Sequence, residues 1–208
     1  MQHLCCLPPD PDAFLIGDTY YGISGGLNPP IFKSKDLKNW TLIGDFIQEE
    51  PSSVAYGEDL SCANFFPIGD ANKWMLLNIS HPFGCRYYIG VWDALNEQFV
   101  PESHERMNWR REGQKREFHW DFFAPESVLT PDGRRVMWAW IATAHESYHG
   151  KTIQSLPREL RLAKDNTLRI SPLQELRSLR YDELVFENIR PGRNRITTLE
   201  GDAYEIRA

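Results

Sequence analysis

Three kinds of side chain in this 208-residue sequence could do chemistry: acids set beside prolines, glycines or rings, a pair of histidines four positions apart, and a large store of aromatics. Asp10 stands between two prolines in Pro9-Asp10-Pro11, a setting that also reads as an Asp-Pro turn opening a strand. Glu58 and Asp59 are adjacent and follow Tyr56-Gly57. If 57–61 runs extended, its side chains alternate, so that Asp59 shares the face of Ser61 and Glu58 points away; a bend at Tyr56-Gly57 would instead swing Glu58 in. Either acid also reads as a solvated loop residue, the default for a carboxylate. Asp121 lies between Trp120 and Phe122, and an acid flanked by rings needs a partner or a ligand. His145-Glu146-Ser147-Tyr148-His149 fits H-E-x-x-H, which holds zinc when both histidines share one helical face and a third ligand follows. Here the segment follows a strand-like apolar run, Gly150 comes directly after it, and no histidine lies beyond 149. It is expected to be an inter-strand loop, with no metal and no cofactor bound.

The elements that must position these residues read as strands. Phe14-Leu15-Ile16 meets Gly17-Asp18 and continues as Thr19 to Ser24. Phe65 to Ile68 meets Gly69-Asp70 and continues as Lys73 to Ile79. Ser127-Val128-Leu129 meets Pro131-Asp132-Gly133 and continues as Arg135 to Ile141. Each is a hairpin signal, because the turn residues tolerate positive φ and the flanks are β-formers. The turns begin at Gly17, Gly69 and Asp132, and each hairpin is followed by at least one further strand, such as Ile31 to Ser34 or Tyr87 to Trp92. A repeat of that length with about four strands per unit is the signature of propeller blades, whereas a β-sandwich would space its turns less regularly. A fourth unit is read in Leu160 to Ala163, the turn Lys164-Asp165-Asn166, and Thr167 to Ile170. The segment from Leu173 to Leu184 has leucines spaced for a helical turn or two.

Composition narrows the classes. With 23 basic and 29 acidic residues the formal charge is −6, and there is no basic stripe of the kind that nucleic acid or an anionic membrane surface attracts. No apolar stretch approaches the length needed to span a bilayer. Met1 to Pro9 has no basic residue before Leu4-Cys5-Cys6-Leu7, so it does not read as a secretory signal. Cys5, Cys6, Cys62 and Cys85 form no C-x-x-C pair and are too few for a disulfide scaffold. The expectation is free thiols in a cytoplasmic chain, with export of a longer form left open. The 7 Trp, 8 Tyr and 11 Phe favour strands and supply flat surfaces on which sugar rings stack.

Five segments carry a resemblance. They are Ser34-Lys35-Asp36-Leu37-Lys38-Asn39-Trp40 (S-x-D-L-x-x-W), Asp121-Phe122-Phe123-Ala124-Pro125 (D-F-Y-A-P), Gly133 to Trp140 (G-R-R-x-x-W-x-W), Ser155 to Leu160 (S-L-P-R-x-L), and Leu168 to Leu179 (L-x-x-x-P-x-x-E-L-x-x-L). In this order they resemble glycoside hydrolase family 32, the β-fructosidases of invertase, levanase and inulinase type. The resemblance implies an all-β chain: a five-bladed β-propeller with about four blades present over 1–180, then a linker and the beginning of a C-terminal β-sandwich over 181–208. It implies a carbohydrate (fructoside) as partner and leaves the oligomeric state open.

A retaining glycosidase needs a carboxylate nucleophile and a carboxylic acid donor across the scissile bond, with the donor's pKa raised. The family places its nucleophile in an N-D-P-N-G motif on the first blade, and no such motif occurs in these 208 residues. The expectation is therefore a chain that begins at the second blade and is inactive alone. Asp10 matches the stabilising aspartate of the family's R-D-P motif, with Pro9 in place of the arginine. Cys62 aligns with the cysteine of E-C-P-D, which puts Ser61 where the donor should be and leaves Glu58 and Asp59 as the nearby acids. Asp121 and Trp140 match substrate contacts, although Trp140 reads equally as a core aromatic; Arg86 is only suggestive of one. The alternatives to a β-fructoside hydrolase are a degenerate carbohydrate-binding propeller and a zinc hydrolase centred on His145 and His149.

Overall fold

In the computed structural model, which describes residues 2–3, 10–69, 72–107, 122–141, 153–187, 192 and 205, the hairpins assemble into three antiparallel sheets. The first contains β1 (Gln2–His3), β2 (Asp12–Ile16), β3 (Thr19–Ile23), β4 (Pro30–Ser34) and β5 (Asn39–Asp45), in the order β1-β5-β4-β3-β2. The second is a meander of β6 (Ser61–Pro67), β7 (Lys73–Ser80), β8 (Gly84–Asp93) and β9 (Gln98–Arg106). The third runs β10 (Phe123–Leu129), β11 (Arg135–Ile141), β13 (Arg158–Leu162) and β14 (Leu168–Pro172), with the short β12 (Ile153–Gln154) also paired to β11. The turns at Gly17 and Gly133 take positive φ, as their sequence signals require.

The hairpin at 160–170 differs from its expected place. It does not open a fourth unit. Arg135, Val136 and Met137 pair with Leu160, Glu159 and Arg158, so β13 and β14 complete the third sheet. The described residues thus hold three sheets of four main strands each, the first with β1 added beside β5 and the third with the short β12 added beside β11.

The middle sheet is buried on both faces, and the period-2 geometry of strands explains how. Phe65 and Leu76 point towards the first sheet and join Phe14, Tyr21, Phe46, Tyr88, Trp92 and Phe99 in one core. Their neighbours Phe66, Met75 and Leu77 point the other way and pack with Ile89, Met137 and Leu160. A strand that must satisfy two cores reads as an unbroken apolar run, which is what Trp74-Met75-Leu76-Leu77 is. Rings dominate the first core: Phe65 stacks on Trp74 at 4.7 Å and meets Phe14 and Phe99 edge-on at 4.8 and 5.0 Å. Gly90 in β8 is held to glycine by its neighbours, since a Cβ there would lie 2.2 Å from the Val100 carbonyl.

The chain divides into two compact units, 1–173 and 174–208. The second opens with a 3-10 helix, Gln174–Leu179, where leucine spacing predicts a helical turn or two. Within it Arg180 Nε donates to Glu205 Oε2 at 2.7 Å.

Candidate active site

The edge strands β2, β6 and β10, one from each sheet, lie side by side, β6 between the other two, and polar bonds fix their register. Phe65 N donates to Asp12 Oδ2 at 2.8 Å, which ties β6 to β2. Burial pushes the Asp12 carboxyl up against the pull of the Phe65 and Ala13 amides. Buried Asn64 ties β6 to β10: its Oδ1 accepts from Ser127 N at 2.7 Å and Ser127 Oγ at 2.9 Å, and its Nδ2 donates to Glu126 Oε2 at 3.2 Å.

At the leading end of each of these strands stands a non-glycine residue in the left-handed region: Asp10 (φ 59°), Cys62 (φ 49°) and Ala124 (φ 44°). Cys62 lies in a bulge between Ser61 and Asn64, and Ala124 in a bulge between Phe123 and Glu126. Other described left-handed residues, such as Leu37, Glu97 and Asn166, fall in turns. Each such conformation costs about 1 kcal/mol or more, and strain of this kind concentrates at functional sites. One irregularity repeated at the same point of three successive sheets re-aims three sets of side chains towards one place. Asp10, Glu126 and Asp59 stand close enough to Cys62 for their charge to add to burial in pushing its thiol up to about 11. Cys62 is free and half-buried; Cys85 is free and fully buried, its thiol pushed well up by desolvation.

The chain bends at Tyr56-Gly57 and 57–61 is not extended throughout, yet the bend does not bring Glu58 to Ser61, and Glu58 and Asp59 part company. Gly57 turns with φ +84°, after which Ser61 Oγ donates to Asp59 Oδ2 at 3.3 Å while Glu58 points away into the protein. Glu58 has no exposed side-chain surface. It accepts from Arg106 Nε and Nη2 at 3.0 and 2.7 Å and from Ala55 N at 2.7 Å, with Arg86 Nη1 3.7 Å away. Burial pushes its carboxyl up, but Arg106, the Ala55 amide and the Arg86 charge outweigh that and hold it below its ordinary value. This is the opposite of what a proton donor needs. Arg86 is buried as well and donates Nη2 to the Asp59 carbonyl at 2.8 Å, so it serves the site from beneath. Asp59 accepts from the His81 amide at 2.8 Å and meets His81 Nδ1 at 2.6 Å. Against its burial, these bonds hold Asp59 below the ordinary carboxylate range.

Trp140 is 38% exposed, so it is a surface-facing ring. It lies opposite Phe123 across the β10–β11 pair, ring centroids 5.9 Å apart, and Phe123 meets the edge of His81 at 6.1 Å. Trp140, Trp138 and exposed Glu126 line a cleft of about 280 Å³ together with Ala124 and Gln154. A larger cleft, about 670 Å³ and lined by Tyr87, Glu105, Met107, Phe122 and Leu168, lies away from the converging acids. The structure thus gathers Asp10, Asp59 and Cys62, places Trp140 on the adjoining rim, and sends Glu58 elsewhere. Asp121 and the His145–His149 segment lie outside the described residues.

Sequence reasoning missed Glu126 and His81. Glu126 directly follows the Asp121–Pro125 segment, and the bulge that presents it opposite Trp138 has no sequence signature. His81 sits in the turn after β7 and belongs to no motif; only its distance from Asp59 marks it.

Comparison with known proteins agrees with the geometry. The family model described as "Glycosyl hydrolases family 32 N-terminal domain" matches residues 10–172. Sucrose-6-phosphate hydrolase of Vibrio alginolyticus is 31% identical over 192 residues, 85% of this chain and 39% of the relative. Beta-fructofuranosidase, insoluble isoenzyme 4, of Oryza sativa subsp. japonica is 25% identical over 214 residues, 92% of this chain and 33% of the relative. The chain therefore spans well under half the length of these relatives. Among solved structures, sucrose-6-phosphate hydrolase from Lactobacillus gasseri superposes with a TM-score of 0.65 at 21% identity, covering 83% of this chain and 38% of its own. Fructan 1-exohydrolase IIa from Cichorium intybus, in complex with 1-kestose, gives 0.64 at 21% identity, covering 83% and 36%. The three sheets are blades of a β-propeller, and the chain belongs to glycoside hydrolase family 32.

Proposed function

We propose that the chain supplies three blades of a site that hydrolyses β-fructosides of sucrose, inulin or levan type with retention, the fructosyl ring lodging where β2, β6 and β10 converge. The observation that carries this reading is the repeated left-handed residue at the head of each inner strand, which turns Asp10, Asp59 and Glu126 towards Cys62. Carboxylates so placed hold sugar hydroxyls and stabilise positive charge as it develops on the ring. Asp10, exposed, takes the stabilising role; Cys62, Asp121 and Trp140 border the sugar. The nucleophile belongs to an N-D-P-N-G blade, so the 208 residues bind sugar but do not turn it over.

The test is fructose release from sucrose, inulin and levan, by this chain and by a longer one carrying an N-D-P-N-G segment, with sugar binding measured in parallel. Release by the longer chain alone is expected. A longer chain that neither binds nor cleaves any of the three overturns the reading.

A second reading, a degenerate propeller that binds carbohydrate without cleaving it, is favoured by Ser61 in the donor's place and by the burial of Glu58 in ion pairs. It predicts binding without turnover even in the longer chain. Ser61→Glu would then restore fructose release if only the donor had been lost.

A further inference from the structure

We propose that His81, held by Asp59, is the group that delivers the proton to the leaving oxygen at this site, and that it replaces the carboxyl for which Ser61 has been substituted. The proposal rests on the reading of the site as β-fructoside-cleaving. Ser61 cannot serve as a tuned acid, and Glu58 is locked in ion pairs. Asp59 is held ionised by the bonds it accepts. Yet these three residues lead to a fourth: Ser61 Oγ donates to Asp59 Oδ2, and the same oxygen lies 2.6 Å from His81 Nδ1. An ionised carboxylate only accepts, so Nδ1 carries the proton and the ring is oriented with Nε2 away from Asp59. The His81 side chain is 63% exposed. Its edge meets Phe123, whose ring meets Trp140 on the rim of the cleft, so the imidazole stands beside the place assigned to the sugar.

Asp59 is a positioning residue here, and it is positioned in turn. Its carbonyl takes the hydrogen bond from buried Arg86, and the amide of His81 binds its other carboxylate oxygen. Among the described residues Asp59 is the charged side chain in direct contact with His81. Glu58 and Arg86 lie beneath, and Asp10 and Glu126 face the neighbouring Cys62. In the step proposed, the bond from the fructosyl carbon to the leaving oxygen breaks and its electron pair stays on oxygen. In the imidazolium form both ring nitrogens carry a proton: the leaving oxygen takes the one on Nε2, the ring keeps the one on Nδ1 against Asp59, and the carbon is captured by the carboxylate nucleophile of the N-D-P-N-G blade. Water then releases fructose and returns a proton to Nε2.

Binding of sugar to the 208-residue chain tests this without turnover. The probes are sucrose and 1-kestose, titrated by calorimetry and by the nitrogen resonances of ¹⁵N-labelled histidine, with His81 assigned by its loss in His81→Asn. The expected result is a saturable shift of His81 Nε2, with Nδ1 protonated in the neutral ring. His81→Asn should weaken sugar binding about fivefold, the worth of one hydrogen bond. Asp59→Asn should release the tautomer, read as Nδ1 and Nε2 resonances that move towards each other in the free chain and a smaller sugar-induced shift at Nε2, without abolishing binding. Sugar that binds with the parent affinity in His81→Asn while His81 stays silent in the parent overturns the proton-delivery assignment and leaves the site reading standing. Sugar that does not bind to the parent chain overturns both.

Discussion

The middle sheet and its two neighbours are built from the same kind of strand but end in different surroundings. In β6–β8 the alternation sends most side chains into one of two cores, and Met75, Leu76 and Leu77 are all fully buried. In the flanking sheets the alternation has one core to serve. Leu15 and Leu42 on one side, and Val128, Leu129 and Ile170 on the other, are exposed. A propeller blade buries apolar surface only where another blade covers it, so the stability of this chain is concentrated in one sheet. The candidate site lies at the inner ends of all three.

That contrast predicts a graded set of mutational effects. The largest falls at Gly90, where the methyl of Gly90→Ala would drive into the Val100 carbonyl and the Phe99 ring. Destabilisation of about 4 kcal/mol or more is expected, read as a lower urea midpoint. Next is Phe65→Ala, which empties the centre of the ring cluster and should cost about 3–4 kcal/mol in the same measurement. Arg106→Ala leaves Glu58 buried with one cation fewer and should cost about 2–3 kcal/mol. Leu42→Ala, in the exposed edge region of the first sheet, should cost under about 1 kcal/mol. If Leu42→Ala costs as much as Phe65→Ala, the concentration of stability in the middle sheet is wrong.

The pH dependence of stability separates two buried groups in the same region. His104 is pushed down to about 4 by burial and by the Arg86 charge. The unfolded chain therefore takes up a proton near the ordinary histidine value while the folded chain does not, and stability falls as pH drops from about 6.5 to about 4. Glu58 is held below its ordinary 4.5, so its contribution is present above that value and is lost as pH falls through the folded one. His104→Gln should flatten the upper limb alone, and Arg106→Ala should flatten the lower. Urea midpoints measured from neutral pH down to about 3 distinguish the two.

Much of the architecture was legible because the signals were local. The turns at Gly17 and Gly133 and the apolar run Trp74–Leu77 announce their hairpins; at 57–61 each of the two open alternatives held part of the answer, since the chain bends at Tyr56-Gly57 while Asp59 stays with Ser61 and Glu58 points away. What was not legible depended on long-range pairing. The hairpin at 160–170 has the same local signature as one that opens a blade, and only the pairing of β13 with β11 shows that it closes the third sheet. Glu126 was hidden because a bulge between Phe123 and Glu126 breaks the alternation by which it would have been placed. His81 was hidden because it lies 22 positions from its partner Asp59, a contact made by the fold and not by spacing.

The most direct test of the account is the structure of this chain with 1-kestose bound. The account predicts the fructosyl ring where β2, β6 and β10 converge, within hydrogen-bond distance of Asp10 and beside Trp140, with His81 facing the linking oxygen. Sugar found in the larger cleft lined by Tyr87, Phe122 and Leu168, with the ends of the inner strands unoccupied, would contradict it.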